Sequence, residues 1–284
     1  MVSIASNTDF LKRTSSQKFQ KLGRFRTVRH LYSQTQKVFQ SLYPAKLVDY
    51  QSQIFSTSID QKECQRELSS TAIYPLKSLL NQNIVDAIYN FATTNPCVEP
   101  KNEHTFYVKD IDNKKLDSNY IYRGLVADIH TCPEIRQVTH NNELIQVASN
   151  FLGYYPSKIT QHLTWSFVVP ESEDKIQQLY PPTNWHYDVA GMNFVTASFY
   201  ITDVMNIESG VHVLLPGSHK NKPISMLLNS NIQEEEVVFK HYSRWQQMYL
   251  IGKAGYGFME DPSCLHRVKP PTTKDRLILQ IRYS

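Results

Sequence analysis

The run Asn184-Trp185-His186-Tyr187-Asp188 sets an imidazole and a carboxylate two residues apart. On an extended chain both side chains leave the same face. Iron(II) in oxygenases is typically held by two histidines and one carboxylate on one face of an octahedron, with three positions left open. A second histidine is therefore required. His266 is the best placed, in the short run Cys264-Leu265-His266-Arg267 just before the last apolar strand, which Arg276 opens. A guanidinium there can pair bidentately with the far carboxylate of a 2-oxo diacid, a task for which lysine is geometrically poorer. Arg276, Ile278 and Gln280 share one face of that strand and Leu277, Leu279 and Ile281 the other, so a polar face can look into a cavity while the apolar one packs on helices. Other groups compete for the third ligand place. His162 lies in an earlier strand, His212 and His219 lie on and after the strand that ends in Pro-Gly-Ser-His, and His241 lies in an expected loop. The Cys264 thiol could also bind a metal, although as a strand residue it reads as pocket lining. In a chain with ten histidines a lone His-x-Asp is a weak signal; its conjunction with His266 and Arg276 is the strong one.

Strands must hold these residues, and the chain supplies them late. Val28, Leu31, Val38, Phe39 and Leu42 recur at helical spacing before Pro44, and helices are predicted over Asn83 to Ala92 and over Asn142 to Leu152, where Gly153 marks the stop. A short apolar strand, Ala72 to Leu76, precedes the second of these. After Tyr154 the texture changes. Ile159 to Val169, Phe194 to Thr202, Val211 to Leu215, Met248 to Gly252, Gly257 to Glu260 and Leu277 to Tyr283 are rich in β-branched and aromatic residues, with Pro- and Gly-bearing turns between them. Helices first and many short strands later imply a mainly β antiparallel barrel or jelly roll with flanking helices. Gly252, Gly255 and Gly257 do not open a helix after a strand and are followed by no Lys-Ser/Thr pair, which excludes a phosphate loop.

With 284 residues, 41% of them hydrophobic, the chain can bury one sizeable core, and no stretch approaches the ~20 apolar residues of a membrane span. The net charge of +4 is concentrated early. Lys12, Arg13, Lys18, Lys21, Arg24, Arg26, Arg29, Lys37 and Lys46 face only Asp9 and Asp49 within the first 50 residues. Nucleic acid, organelle import or an acidic substrate could each use such a segment, but a solvated helix face is the expectation. Residues 1–60 are thus read as a basic helical extension packed on the core, and residues 61–284 as the domain that carries the chemistry. Cys64, Cys97, Cys132 and Cys264 show no CxxC spacing and no disulfide framework, and no apolar signal-peptide region is present. A cytoplasmic protein with reduced thiols is expected.

Clearly from about residue 154 to its end, and plausibly from about residue 70, the sequence resembles the phytanoyl-CoA dioxygenase family of iron- and 2-oxoglutarate-dependent oxygenases. The residues that carry the likeness are Trp185-His186-Tyr187-Asp188, the run from Thr202-Asp203 through Glu208-Ser209-Gly210 to Leu215-Pro216-Gly217-Ser218-His219-Lys220, and Leu265-His266 followed by Arg276. The resemblance implies a double-stranded β-helix, a cupin-like jelly roll, with His186, Asp188 and His266 as iron ligands and Arg276 as the 2-oxoglutarate clamp. It also implies that Thr196, which shares a face with Ser198, lies against the cosubstrate, and that Asn184 and Gln161 contact cosubstrate or substrate. The implied reaction takes Fe(II), 2-oxoglutarate and O2, hydroxylates or otherwise oxidises a small molecule, and releases succinate and CO2. Halogenases of the family lack the carboxylate ligand, so Asp188 argues against halogenation.

A small intermediate of specialised metabolism is the expected partner, with no nucleic acid and no membrane. Trp165, Trp185 and Tyr187 would suit a pocket for a ring-bearing metabolite, though such residues are more often core. Two other readings stay open: a cupin-like metalloenzyme that does not use 2-oxoglutarate, for which Arg276 is dispensable, and a non-catalytic β-sandwich binding module.

Overall fold

The computed structural model describes residues 3–5, 21–44, 53–101, 103–111, 114–116 and 119–284. Lys12, Arg13, Lys18 and Lys46 of the basic segment, with Asp9 and Asp49, lie outside the described residues. The helices of the first half are α1 Arg26–Leu42, α2 Gln61–Thr71, α3 Gln82–Thr94, α4 Pro133–Thr139 and α5 Asn142–Leu152. Local chemistry sets their ends. The side chains of Asp60 and Asn141 accept first-turn N–H groups of α2 and α5, Pro133 opens α4, and Gly153 closes α5 in the left-handed region at φ 80°. Later come α6 Glu173–Leu179, α7 Ile224–Leu228 and α8 Glu235–His241. His241 therefore ends a helix and does not sit in a loop.

The strands that position the site are β1 Ile73–Pro75, β2 Arg123–Val126, β3 Lys158–Ser166, β4 Trp185–His186, β5 Val195–Tyr200, β6 His212–Leu214, β7 Ile232–Gln233, β8 Met248–Leu250, β9 Gly257–Glu260, β10 His266–Val268 and β11 Arg276–Tyr283. The larger sheet runs β1-β9-β5-β11-β3-β2 and continues through the short strands Cys97–Val98 and Thr105–Phe106, while Ser3–Ala5 lies parallel alongside β3. The smaller runs β7-β4-β10-β6-β8. All of its pairings are antiparallel. From β3 onward the chain keeps returning between the two, with β3, β5, β9 and β11 in the larger sheet and β4, β6, β8 and β10 in the smaller.

The period of two along a strand divides each surface between two surroundings. Leu277, Leu279, Ile281 and Tyr283 of β11 join Leu163 and Trp165 of β3, Ala197 and Phe199 of β5, and Cys64, Leu68, Ile88, Ile135 and Val147 of the helices in one core. That core covers the outer face of the larger sheet, and each fully buried leucine or isoleucine in it contributes roughly 1.5–3 kcal/mol. The opposite face meets the smaller sheet: Tyr200, Phe258 and Ile278 pack with Leu214 and Leu250. On that inner face Arg276, Ile278, Gln280 and Arg282 stand opposite Ser166, Thr164, His162 and Thr160. Trp165, Trp185 and Tyr187 are all core residues, so they form no aromatic pocket.

Candidate metal centre

Strand pairing brings the two histidines together. In the single paired position between β4 and β10, His186 stands directly opposite His266, and their ring centroids are 4.3 Å apart. Asp188 follows just beyond β4, its N–H donating to the carbonyl of Pro262 at 2.7 Å. One ligand atom from each of His186, Asp188 and His266 lies within 4.8 Å of the others. Oδ1 of Asp188 is 3.8 Å from Nε2 of His186 and 4.0 Å from Nε2 of His266, too far for hydrogen bonds and suited to an ion about 2 Å from each atom.

The tautomers suit that ion as well. Nδ1 of His186 meets the carbonyl of Asn184 at 2.8 Å and Nδ1 of His266 that of Cys264 at 2.9 Å. A carbonyl can only accept, so each Nδ1 carries the hydrogen and each Nε2 presents its lone pair to the centre. Burial, then the neighbouring His266, pushes the His186 imidazole down to about 4, which leaves it neutral at physiological pH. Burial opposes the charge of Asp188, but His266, Arg282 and His186 outweigh it and hold that carboxyl below the usual carboxylate range.

Several groups surround the three. Nη2 of Arg282 donates to Oδ2 of Asp188 at 3.2 Å. Behind His266 lies Glu260, 3% exposed, with Oε2 3.1 Å from Nε2 of His212 and Oε1 3.6 Å from Nδ1 of His266. His212 is therefore turned to a carboxylate and away from the triad. Arg276 is 2% exposed; Nη1 donates to the carbonyl of Gly210 at 2.5 Å and Nη2 to Oγ of Ser166 at 3.0 Å, while Nε has no acceptor among the described residues.

The remaining expected contacts divide. Thr196 is buried on the inner face beside the backbone of Glu260, and Ser198 next to it on that face has a buried hydroxyl without a partner among the described residues. The Asn184 side chain turns away, donating to the carbonyls of Gln177 and Pro181, and only its own carbonyl serves the centre, through His186. Gln161 is on the wrong side of β3. It accepts from the Thr139 hydroxyl of α4 in the helical layer, whereas its neighbour His162 stands opposite Gln280 on the inner face. Cys264 lies in the turn before β10 rather than in a strand, with Sγ engaged by Ser218 and the Leu215 carbonyl, and is not among the converging ligand atoms; burial pushes its thiol up to about 12. His219 meets the carbonyl of Ser69 at 3.3 Å, outside the triad.

Sequence reasoning did not single out Arg282 and Glu260 beside the triad, and weighed His162 only as a competing ligand. Alternation along β11 carried the signal for Arg282, since it continues the face of Arg276, Ile278 and Gln280. It also missed a clasp from the N-terminal segment. Nη1 of Arg29 on α1 donates to Asp261 at 2.9 Å and to Ser263 Oγ at 2.5 Å, and Nε donates to Asn193 at 3.0 Å. Asp261 and Ser263 flank Pro262, the partner of Asp188. Arg24 donates to the carbonyls of Leu227 and Asn229, and Gly23 packs so closely on Gly191 that a Cβ there would meet its carbonyl at 2.2 Å. These two arginines do not form a solvated face. A cavity of about 290 Å3 lies beside the clasp, lined by Arg26, His30, Ser69, Phe151, His219 and Asp261 among others, and includes none of the triad.

No family model and no curated protein matches this chain. Among solved structures it is similar to the non-heme alpha-ketoglutarate-dependent epimerase SnoN from nogalamycin biosynthesis, at 14% identity over 78% of this chain and 82% of that one, with a TM-score of 0.53. It is also similar to EvdO2 from Micromonospora carbonacea var. aurantiaca, at 15% identity over 82% and 94% of the two chains, with a TM-score of 0.52. The complex of EvdO2 with 2-oxoglutarate aligns at 13% identity and a TM-score of 0.50 over the same shares. These likenesses show a shared fold.

Proposed function

We propose that this chain is an iron(II)- and 2-oxoglutarate-dependent oxygenase that hydroxylates or otherwise oxidises a C–H bond of a small molecule. The observation that carries the reading is the convergence of ligand atoms from His186, Asp188 and His266 within 4.8 Å, with both Nδ1 atoms occupied by carbonyls. Two imidazoles and one carboxylate are the donor set of a facial triad with open positions. The return of the chain between two sheets supports a double-stranded β-helix over residues 61–284, with the N-terminal extension docked on it.

When bound, iron with 2-oxoglutarate and O2 supplies the oxidising power, and succinate and CO2 are the co-products. The chain supplies binding and orientation. His186, Asp188 and His266 hold the metal, and Arg282 restrains the second oxygen of Asp188. Arg276 pairs with the far carboxylate of the cosubstrate through donors that Gly210 and Ser166 leave free, those two contacts fixing the plane of its guanidinium. Thr196 and Ser198 offer hydroxyls on the same inner face. Asp188 fills the ligand place that a halide would need, which favours oxygenation over halogenation. SnoN acts in nogalamycin biosynthesis, and a specialised-metabolite substrate fits that kinship of fold.

The test is anaerobic reconstitution of the protein with Fe(II), followed by 2-oxoglutarate binding and by succinate release across a metabolite panel. Asp188→Ala and His186→Ala should each lose metal binding and succinate release, and normal turnover in either would remove the ligand assignment. Activity unchanged in Arg276→Ala would replace this reading with that of a cupin-like metalloenzyme that does not use 2-oxoglutarate.

A further inference from the structure

The inner face of the larger sheet carries more positive charge than its own acceptors consume. Arg123 stands opposite Ser166 across β2 and β3, and Arg276 stands opposite the same serine across β3 and β11, so the three side chains leave one side of the sheet in a row. Arg282 continues that face and is engaged by Asp188. Glu260 faces His212, its Oε2 3.1 Å from Nε2 of that imidazole. Arg276 is tied down by Ser166 and Gly210. Arg123 differs from all of these. Among the described residues no carboxylate or carbonyl accepts from it, and its guanidinium rests on the Tyr180 ring, 5.2 Å from the centroid.

A ring face attracts a guanidinium but uses none of its five N–H donors, and those of half-buried Arg123 stay open to an incoming acceptor. Tyr180 belongs to a small apolar cluster with Val169 and Ile176, against which Tyr120 and Tyr122 pack. His162 shares the inner side of β3 with Ser166 and lies within electrostatic reach of Arg123, Arg282 and Asp188, which ties Arg123 to the surroundings of the triad.

We propose that Arg123, braced on Tyr180, anchors an acidic group of the molecule to be oxidised, so that the substrate is an organic acid. The inference rests on the oxygenase reading above. The cosubstrate does not need this arginine: of its two carboxylates one goes to the metal and the other to Arg276, and neither is left over.

The test uses the full chain loaded with Mn(II) and 2-oxoglutarate, and follows paramagnetic broadening of proton signals from phenylacetate and from phenylacetamide, which match in size and differ in charge. Phenylacetate should bind at least about tenfold tighter than the amide, as expected for a charge-assisted hydrogen bond. Arg123→Gln should erase that preference and Arg123→Lys should keep most of it, with 2-oxoglutarate affinity the same in all three proteins. The proposal is overturned if acid and amide bind alike, if neither binds, or if the preference survives in Arg123→Gln. It is also overturned if that variant loses 2-oxoglutarate affinity, since Arg123 would then serve the cosubstrate. A wild-type protein that takes up Mn(II) but does not bind 2-oxoglutarate would instead sink the oxygenase reading, and the comparison of acid with amide on that Mn(II) protein would still be read separately.

Discussion

Oδ1 of Asp188 faces the two imidazoles while Oδ2 accepts from Arg282, so on the function proposed above Arg282 helps to retain the metal. Removing the guanidinium frees the carboxylate to rotate and takes away a charge-assisted hydrogen bond of about 1.5–3 kcal/mol. Arg282→Met should therefore weaken Co(II) or Mn(II) binding by roughly ten- to a hundredfold in a chelator competition, with the stacking of the side chain on Phe194 largely preserved. An unchanged affinity would mean that Asp188 is held by its backbone contact to Pro262 alone. The same residues show what was legible in the sequence. His186, Asp188 and His266, whose ligand atoms lie within 4.8 Å of one another, could be picked out because donor type, two-residue spacing and position before the last strand agree. Gln161 failed by one residue, and in a strand one residue reverses the face, so that His162 occupies the side expected of its neighbour. Asn184 failed because a turn, rather than a strand, carries it, and its amide closes that turn. Glu260 had no signal at all, since it lies in β9 of the larger sheet and meets His212 and His266, on paired strands of the smaller, only through the stacking of the two sheets.

At the scale of elements, helices and strands could be read from periodicity, but what α1 does could not. Its basic residues look like a solvated face until the turn at Asp261, distant in sequence, is seen to receive Arg29. The side chains of this ion pair are 11% and 5% exposed, so breaking one partner strands the other in low dielectric, a loss of about 3–5 kcal/mol. Arg29→Ala should lower the chemical denaturation midpoint accordingly. It should also weaken metal binding, because the Asp261–Ser263 turn presents the Pro262 carbonyl that fixes Asp188. Asp261→Asn combined with Arg29→Ala should recover a large part of the stability, since no unpaired carboxylate remains. Stability recovered without metal affinity would show that the clasp positions Asp188 beyond merely paying for its own burial. An additive double variant would deny the pairing altogether.

Taken as a whole, the molecule holds neutral imidazoles both on the inner face of its larger sheet, at His162, and in the turn after β6, at His219, and this gives its stability a definite dependence on acid. Burial first, and then nearby cations, push His162 down to about 3; burial pushes His219 down to about 4 against the opposing pull of Asp261 and the Ser69 carbonyl. A histidine in the unfolded chain takes up its proton near pH 6.5. Between that pH and the depressed folded value the unfolded chain therefore binds more protons, so stability is fully present above about pH 6.5 and is lost as the pH falls. The carboxyls of Asp261 and Glu260, also held below their usual range, add their losses only at lower pH. His219 separates the two windows, because it lies outside the triad and its contact to Ser69 is one that a glutamine amide can reproduce. In His219→Gln the fall in the denaturation midpoint between pH 7 and pH 4.5 should be smaller than in the wild type, with the difference confined to the interval above about pH 4. Parallel curves for the two proteins through that interval would show that His219 takes its proton in the folded state as readily as in the unfolded one, and that the turn after β6 is open to water.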